Sequence, residues 1–166
     1  MLKVAMLSSW HVHAGDYARE LKAMDNVHIT VVWDEIPERG RWWAENLDVA
    51  FERDLMTLLK RDDVDAVVVD TPTNMHAEVM IAAATAGKHI FTEKVMALTV
   101  AECKSIAEAV KENGVKFCIS FPHRTFSANL YAKYAIDQGL LGEITLLRIR
   151  NAHSGAIDDW LPPHFY

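Results

Sequence analysis

The 166-residue sequence is poor in cysteine and glycine, has no excess of basic residues and contains no long apolar run. Its two cysteines lack the spacing of a metal or redox motif, so we expect a reduced, cytoplasmic setting. Lys and Arg number 17 against 23 Asp and Glu, which argues against a nucleic-acid partner. The apolar run at 79–84 is too short to cross a bilayer, and the N-terminal run is too short for a signal peptide. We therefore expect no membrane partner either.

Short β-branched segments alternate with longer segments that have helical spacing. Apolar residues make up 51% of the chain, which excludes a largely disordered protein. Alternation of strands and helices is typical of βαβ units, and continuously apolar strands indicate helices on both faces of a parallel sheet. The sequence therefore predicts an α/β fold with a Rossmann-like doubly wound parallel sheet over residues 1–120. The strands are predicted at 4–7, 27–32, 66–69, 90–92 and 116–119.

Residues 121–166 are predicted to add one helix, at 126–137, and one long strand, at 144–152. Because a single helix and strand cannot bury both faces by themselves, we interpret them as the opening of an incomplete α/β second domain. The alternative is an edge strand and a covering helix added to the first domain. Unpaired strand edges invite pairing with another chain, so the first interpretation predicts a homo-oligomer.

The turn after the first strand is where a dinucleotide-binding fold places the pattern Gly-x-Gly-x-x-Gly. Ser8, Trp10 and His13 occupy the three glycine positions here. The Ser8 hydroxyl could contact a phosphate, whereas Trp10 would crowd the pyrophosphate. An ordinary turn that binds nothing is the alternative.

His11 and His13 are separated by one residue, a spacing that could hold a metal ion. A third ligand would have to come from elsewhere in the chain. Two polar loop residues at the edge of a cleft is the simpler interpretation, and the sequence predicts no metal site.

Asp34 follows the second strand and could bind both ribose hydroxyls of an adenosine. Its carboxylate would repel a 2′-phosphate, which predicts a preference for NAD over NADP. Arg39 and Arg41 argue against this, since either could pair with that phosphate. Alternatively, Asp34 only caps the turn at 34–37.

Further polar residues follow the third and fourth strands, at the edge where open α/β sheets bind ligands. Thr71, Pro72 and Asn74 form a turn, and His76 lies one turn into the next helix. After the fourth strand, Lys94 could polarise or protonate a substrate oxygen, with Glu93 holding it by an ion pair. A solvated charge pair is the alternative.

The segments 68–78, 86–94, 97–102 and 139–144, with their spacing, resemble the glucose–fructose oxidoreductase / inositol dehydrogenase (Gfo/Idh/MocA) family. The resemblance implies a Rossmann domain followed by an α/β domain that shapes the substrate site and the oligomer. It implies hydride transfer between NAD or NADP and a sugar-like hydroxyl, with Lys94 as the catalytic residue. The cofactor-binding residues would be Ser8, Trp10, His11, Val12, Asp34, Thr71, Pro72, Asn74, His76, Glu93 and Lys94.

Three departures from the family stand out. The first-turn glycines are missing, and the family's Glu-Lys-Pro is Glu93-Lys94-Val95. Either the Lys94–Val95 bond is trans and Lys94 points differently, or the bond is cis at a cost of about 3 kcal/mol. The family's catalytic Asp and His would lie beyond residue 166. We therefore expect the chain by itself to be an inactive part of the oxidoreductase; a non-catalytic nucleotide-binding or regulatory protein is the alternative.

Overall fold

The computed structural model describes residues 1–155, 157–158 and 161–163. The chain divides into two compact units, Met1–Ser120 and Phe121–Tyr166. Residues 156, 159–160 and 164–166, which belong to the predicted second region, lie outside the described residues.

The first unit alternates strands and helices throughout. Its elements are β1 (Leu2–Leu7), α1 (Ala14–Lys22), β2 (Val27–Trp33), α2 (Pro37–Leu47), β3 (Ala50–Phe51), α3 (Leu55–Leu59), β4 (Ala66–Val69), α4 (His76–Thr85), β5 (His89–Glu93), α5 (Val100–Glu112) and β6 (Phe117–Ser120). A short 3-10 helix, Thr73–Met75, precedes α4.

The six strands form one parallel sheet in the order β3-β2-β1-β4-β5-β6. This is the strand order of a Rossmann fold. The first three strands extend the sheet to one side of β1 and the last three extend it to the other side, so the strand order reverses between β1 and β4. The doubly wound α/β fold and all five predicted strands are therefore confirmed. The sequence analysis missed β3, because two residues are too few to show a pattern.

Two apolar cores cover the two faces of the sheet. One contains Leu58, Val79 and Ile106 from α3, α4 and α5. The other contains Ala18 and Trp43 from α1 and α2. Burial on both faces explains why the central strands are continuously apolar. No helix in the described part of the chain has both the length and the apolar character needed to cross a bilayer.

Local signals fix where several helices begin and end. The Thr99 hydroxyl accepts a hydrogen bond from the Glu102 amide, and the Glu102 carboxylate accepts one from the Thr99 amide, which is a capping box at the start of α5. Gly87 lies just beyond α4 with a φ of 74°, a left-handed conformation that favours glycine.

The unit Phe121–Tyr166 contains a short 3-10 helix, Pro122–Arg124, and α6 (Ser127–Asp137). The strand predicted over 144–152 is wrong: these residues form no strand in the structure. A strand forms only where a neighbouring strand offers ladder hydrogen bonds. The described residues of this unit contain no strand that could offer them.

Candidate functional site

Polar residues stand at the carboxyl ends of five neighbouring strands. Ser8, Asp34 and Asp70 directly follow β1, β2 and β4, while Glu93 and Ser120 end β5 and β6. The first four are almost fully buried. Open α/β sheets bind ligands at this edge, where the strand order reverses. This edge of the sheet is therefore the candidate site.

The first turn satisfies its own backbone groups. Ser8 has a φ of 73°, and its hydroxyl accepts a hydrogen bond from the Trp10 amide at 3.0 Å. The His11 amide donates to the Asp70 carbonyl at 3.1 Å, and the His13 amide donates to His11 Nδ1 at 3.3 Å. A phosphate would have to compete with these bonds. The turn therefore differs from a glycine-rich turn in bonding as well as in sequence.

Asp34 is the centre of a closed corner in which Arg39 pairs with both Asp34 and Glu35. Its carboxylate accepts hydrogen bonds from the amides of Ser9 at 3.0 Å and Ile36 at 2.8 Å. The Arg39 guanidinium donates to the same carboxylate through Nε at 2.9 Å and Nη2 at 2.8 Å. The bond to Ile36 shows that Asp34 caps the turn at 34–37, as one of the two interpretations predicted. A ribose could reach this carboxylate only if Arg39 moved.

Gly40 makes this corner possible. A Cβ on Gly40 would lie 2.4 Å from Cε2 of Phe51 and 2.7 Å from the Asp34 Cβ. Both distances are shorter than side chains tolerate. A larger residue at this position of α2 would therefore displace either the ring or the aspartate.

Glu93 is the centre of a second, more strongly polar cluster. It is 1% exposed and accepts hydrogen bonds from the Tyr17 hydroxyl and, at 3.0 Å, from the Lys94 amide. His13 Nδ1 lies 2.7 Å from its Oε1, and His11 Nε2 lies 4.0 Å from its Oε2. This arrangement brings together residues that are 80 positions apart in the sequence.

Burial and hydrogen bonding move three pKa values in this cluster. Burial lowers the pKa of His11 to about 4, against the attraction of the Glu93 carboxylate, so the imidazole is neutral near pH 7. Burial alone would raise the pKa of Glu93, but hydrogen bonds from Tyr17 and His13 outweigh it and hold the pKa below its ordinary value. The pKa of Tyr17 is raised by burial and by its bond to Glu93.

Asp70 and Thr71 are buried at the same edge without the partners that buried polar groups normally have. Within the described residues, neither oxygen of the Asp70 carboxyl forms a hydrogen bond. The Thr71 hydroxyl neither donates nor accepts one there. Burial and the nearby charge of Glu93 raise the pKa of Asp70 well above its ordinary value. Buried polar atoms left unpaired are uncommon in proteins and point to a functional site.

Lys94 and His76 lie on the loop that follows β5 and on the helix beside it. The Lys94 side chain is 44% exposed, and its Nζ lies 3.8 Å from Glu93 Oε2, which is a loose ion pair. The Lys94–Val95 peptide bond is cis. The His76 ring nitrogens contact the Val95 carbonyl at 2.9 Å and the Thr71 carbonyl at 3.0 Å. His76 thus ties the two loops together.

The predicted site residues therefore separate into groups. Ser8 joins Asp34 through Arg39, whose Nη2 lies 3.2 Å from the Ser8 hydroxyl. A second group is His11 and Glu93, with Lys94 beside them. Thr71 and His76 are buried. The remaining predicted residues lie around the edge and are partly or fully exposed: Trp10, Val12, Pro72 and Asn74.

The sequence analysis missed three residues of the edge: Tyr17, Asp70 and Ser120. The Tyr17 hydroxyl is bonded to Glu93 and, at 2.8 Å, to Ser120. One signal was available, because Tyr17 lies four positions after His13 and therefore on the same face of α1. Asp70 follows a predicted strand directly, as Asp34 does, and could have been found by the same reasoning.

The sheet order and the polar edge define the class of the chain, which is a Rossmann fold. The model of an oxidoreductase family with an NAD-binding Rossmann fold, Gfo/Idh/MocA, matches residues 10–121. The chain belongs to this family, as the resemblance in the sequence implied.

Several relatives have described activities. The chain is 37% identical over 129 residues to the 2,7-anhydro-N-acetylneuraminate hydratase of Mediterraneibacter gnavus, covering 78% of this chain and 34% of that protein. It is 35% identical over 116 residues to the scyllo-inositol 2-dehydrogenase (NAD(+)) of Bacillus subtilis, covering 69% and 34%. A crystal structure of the Lactobacillus casei scyllo-inositol dehydrogenase with NAD(H) and scyllo-inositol matches with a TM-score of 0.76 at 25% identity, covering 87% and 43%.

The chain spans about a third of the length of these two sequence relatives. The expected cofactor, NAD or NADP, is confirmed at the level of the family, whose fold is NAD-binding. The structure fits such a group at one point in particular: the buried Thr71 hydroxyl at the end of β4 has no partner among the described residues. The first turn departs from the dinucleotide-binding pattern, because it has no glycine at the three pattern positions and backbone amides in it are hydrogen-bonded within the protein.

Proposed function

We propose that this chain forms the cofactor side of an oxidoreductase that moves hydride between NAD or NADP and a sugar or cyclitol hydroxyl. The observation that carries the proposal is the buried polar edge where the sheet order reverses, with the unpaired Thr71 hydroxyl in it. Family membership and the inositol dehydrogenase relatives support the substrate class. When bound, the nicotinamide supplies or accepts the hydride.

The residues of the chain then have distinct tasks. Thr71 donates or accepts a hydrogen bond that the folded chain leaves unmade, and Pro72 and Asn74 line the same side. Ser8, Trp10 and Val12 face the phosphate side, and Asp34 binds the adenosine ribose once Arg39 releases it. These assignments follow from the position of each residue at the carboxyl edge.

Lys94 is the proton-carrying group in this proposal. Its ammonium is half-exposed, so a substrate oxygen could reach it, while Glu93 limits its range through the ion pair. A lysine in this position gives its proton to an alkoxide or carbonyl oxygen during reduction and takes one from a hydroxyl during oxidation. His76 holds the loop that carries Lys94 in place.

A fluorescence titration of the purified chain with NADH and NADPH tests the cofactor assignment. We expect saturable binding of at least one of them, weakened several-fold by Thr71→Val, because the variant lacks the hydroxyl that has no partner inside the protein. Thr85→Val, at an exposed position at the end of α4, is the matched control. Absence of saturable binding by both nucleotides would overturn the proposal.

We also propose that the oxidoreductase acts in the cytoplasm as a homo-oligomer. Both cysteines are free, which suits a reducing compartment. The unit Phe121–Tyr166 exposes several large apolar side chains of the kind that subunit contacts bury: Leu140, Leu141, Leu146, Leu147 and Ile149. Light scattering at low micromolar concentration tests this, and a clean monomer would contradict it.

A further inference from the structure

Three side chains at the carboxyl edge present nitrogen and oxygen atoms to one another. They are His11, His13 and Glu93, and one ligand atom from each lies within 4.8 Å of the other two. Two come from the turn after β1 and one from the end of β5, so the fold supplies the third ligand that the His-x-His pair lacked in the sequence. His11 and Glu93 are buried, and His13 is partly exposed, which leaves the group a route to solvent.

The donor set matches that of a divalent transition metal. Two imidazoles and one carboxylate form the protein ligands of many catalytic zinc sites and of non-haem iron sites. Two atoms bound to the same zinc ion at 2.0–2.2 Å lie roughly 3–4 Å apart. The observed separations are 2.7 Å for His13 to Glu93 and 4.0 Å for His11 to Glu93. Small side-chain rotations would therefore suffice to place an ion among them.

A second observation points to a cation at the same place. Asp70 is fully buried, its carboxyl has no hydrogen-bond partner among the described residues, and its carbonyl accepts the His11 amide. Buried polar atoms without a partner are uncommon, and a bound cation would give this carboxyl one.

We propose that His11, His13 and Glu93 bind one divalent transition-metal ion, for which Zn²⁺ is the probe. Three protein ligands leave a coordination position for water or a substrate oxygen. The proposal does not rest on the hydride transfer proposed above, although Glu93 takes part in both.

Binding rearranges hydrogen bonds and protons. The hydrogen bond between His13 Nδ1 and Glu93 would be replaced by two bonds to the metal, with His13 bound through Nδ1 and its proton on Nε2. A second proton on that imidazole, where present, would go to solvent. His11 would bind through Nε2 and carry its proton on Nδ1, which breaks the 3.3 Å bond from the His13 amide. Tyr17 already donates to Glu93 and would continue to orient it, as outer groups do at metal sites.

Metal titration of the tag-free chain, first stripped with a chelator, tests the proposal. Zn²⁺ affinity is measured by competition with a chromophoric chelator, and Co²⁺ provides visible absorption bands that report the ligand geometry. We expect one ion per chain. His13→Gln, at a partly exposed position, should lower the affinity at least about 100-fold, and Tyr17→Phe about 10- to 100-fold.

Two further variants complete the experiment. His28→Ala, on the exposed start of β2, is the matched control and should bind the ion as the unaltered chain does. Glu93→Gln keeps the shape of the side chain and should abolish the Co²⁺ bands, with circular dichroism verifying that it is folded. The proposal fails if no ion binds saturably, or if His13→Gln and Glu93→Gln, while folded, bind it as tightly as the unaltered chain.

Discussion

Asp34 and Asp70 hold equivalent positions and have opposite environments. Each is buried at the carboxyl end of a strand that flanks β1, Asp34 after β2 and Asp70 after β4. Asp34 accepts two backbone amides and the paired donors of Arg39. Asp70 has no hydrogen-bond partner within the described part of the chain.

The difference separates Asp34, a structural acid whose hydrogen bonds are made inside the protein, from Asp70, whose hydrogen bonds are not. A buried carboxylate that is paired and hydrogen-bonded is stable in the folded chain, whereas an unpaired one costs free energy or stays protonated. The Asp34 carboxylate is fully bonded without a ligand, so a ribose would have to displace Arg39. On the other side of the edge, the Asp70 carboxyl has no hydrogen-bond partner among the described residues, and the proposed ion would give it one.

The largest expected effect comes from removing the satisfied acid. Asp34→Ala leaves the amides of Ser9 and Ile36 without their acceptor and removes the Asp34 partner of the 24% exposed Arg39. We expect the free energy of unfolding to fall by about 3 kcal/mol, measured by urea denaturation. Asp16→Ala removes an Asp–Arg pair on the exposed surface of α1 and should change it by less than about 0.5 kcal/mol. Equal losses in the two variants would contradict the view of Asp34 as a structural acid.

A smaller loss should follow from crowding the same corner. Alanine is about 1 kcal/mol better than glycine inside a helix, yet the Cβ of Gly40→Ala would collide with Asp34 and Phe51. Overpacking should outweigh propensity and lower the free energy of unfolding by about 1–2 kcal/mol, read from thermal or urea unfolding. Gly15→Ala is the matched control in α1, where the added Cβ meets nothing within 4 Å, and should stabilise by up to about 1 kcal/mol. A stabilised Gly40→Ala would show that the corner is loose.

Cofactor choice tests whether the Asp34 corner opens. If Arg39 moves aside and Asp34 meets the ribose, its charge repels a 2′-phosphate, and NAD should bind at least about tenfold more tightly than NADP. Asp34→Asn should reduce this preference, as read from the dissociation constants of both cofactors. A preference for NADP that survives in Asp34→Asn would assign the corner to Arg39 instead, since its guanidinium would then hold the phosphate.

Local sequence patterns predicted the strands and the residues that follow them, but not the contacts between distant residues. Every strand except the two-residue β3 is an apolar run between turn residues, so the edge that carries Asp34, Lys94 and Glu93 could be predicted from the sequence. Partners brought together by the fold did not, because Glu93 and His13 are 80 positions apart. The strand predicted at 144–152 was wrong. An apolar pattern shows that a segment could form a strand, but not whether a neighbouring strand is there to pair with it.

The smallest expected effect comes from removing the unsatisfied acid. In the chelator-treated chain, Asp70→Ala deletes a buried carboxyl that makes no hydrogen bond with the described residues. Replacing an unpaired polar group by an apolar one relieves its desolvation, which offsets the packing lost with the side chain. We expect the free energy of unfolding to stay the same or to rise by up to about 1 kcal/mol, in contrast to Asp34→Ala. A loss of 2 kcal/mol or more, on the order of that for Asp34→Ala, would mean that Asp70 supports the fold as Asp34 does.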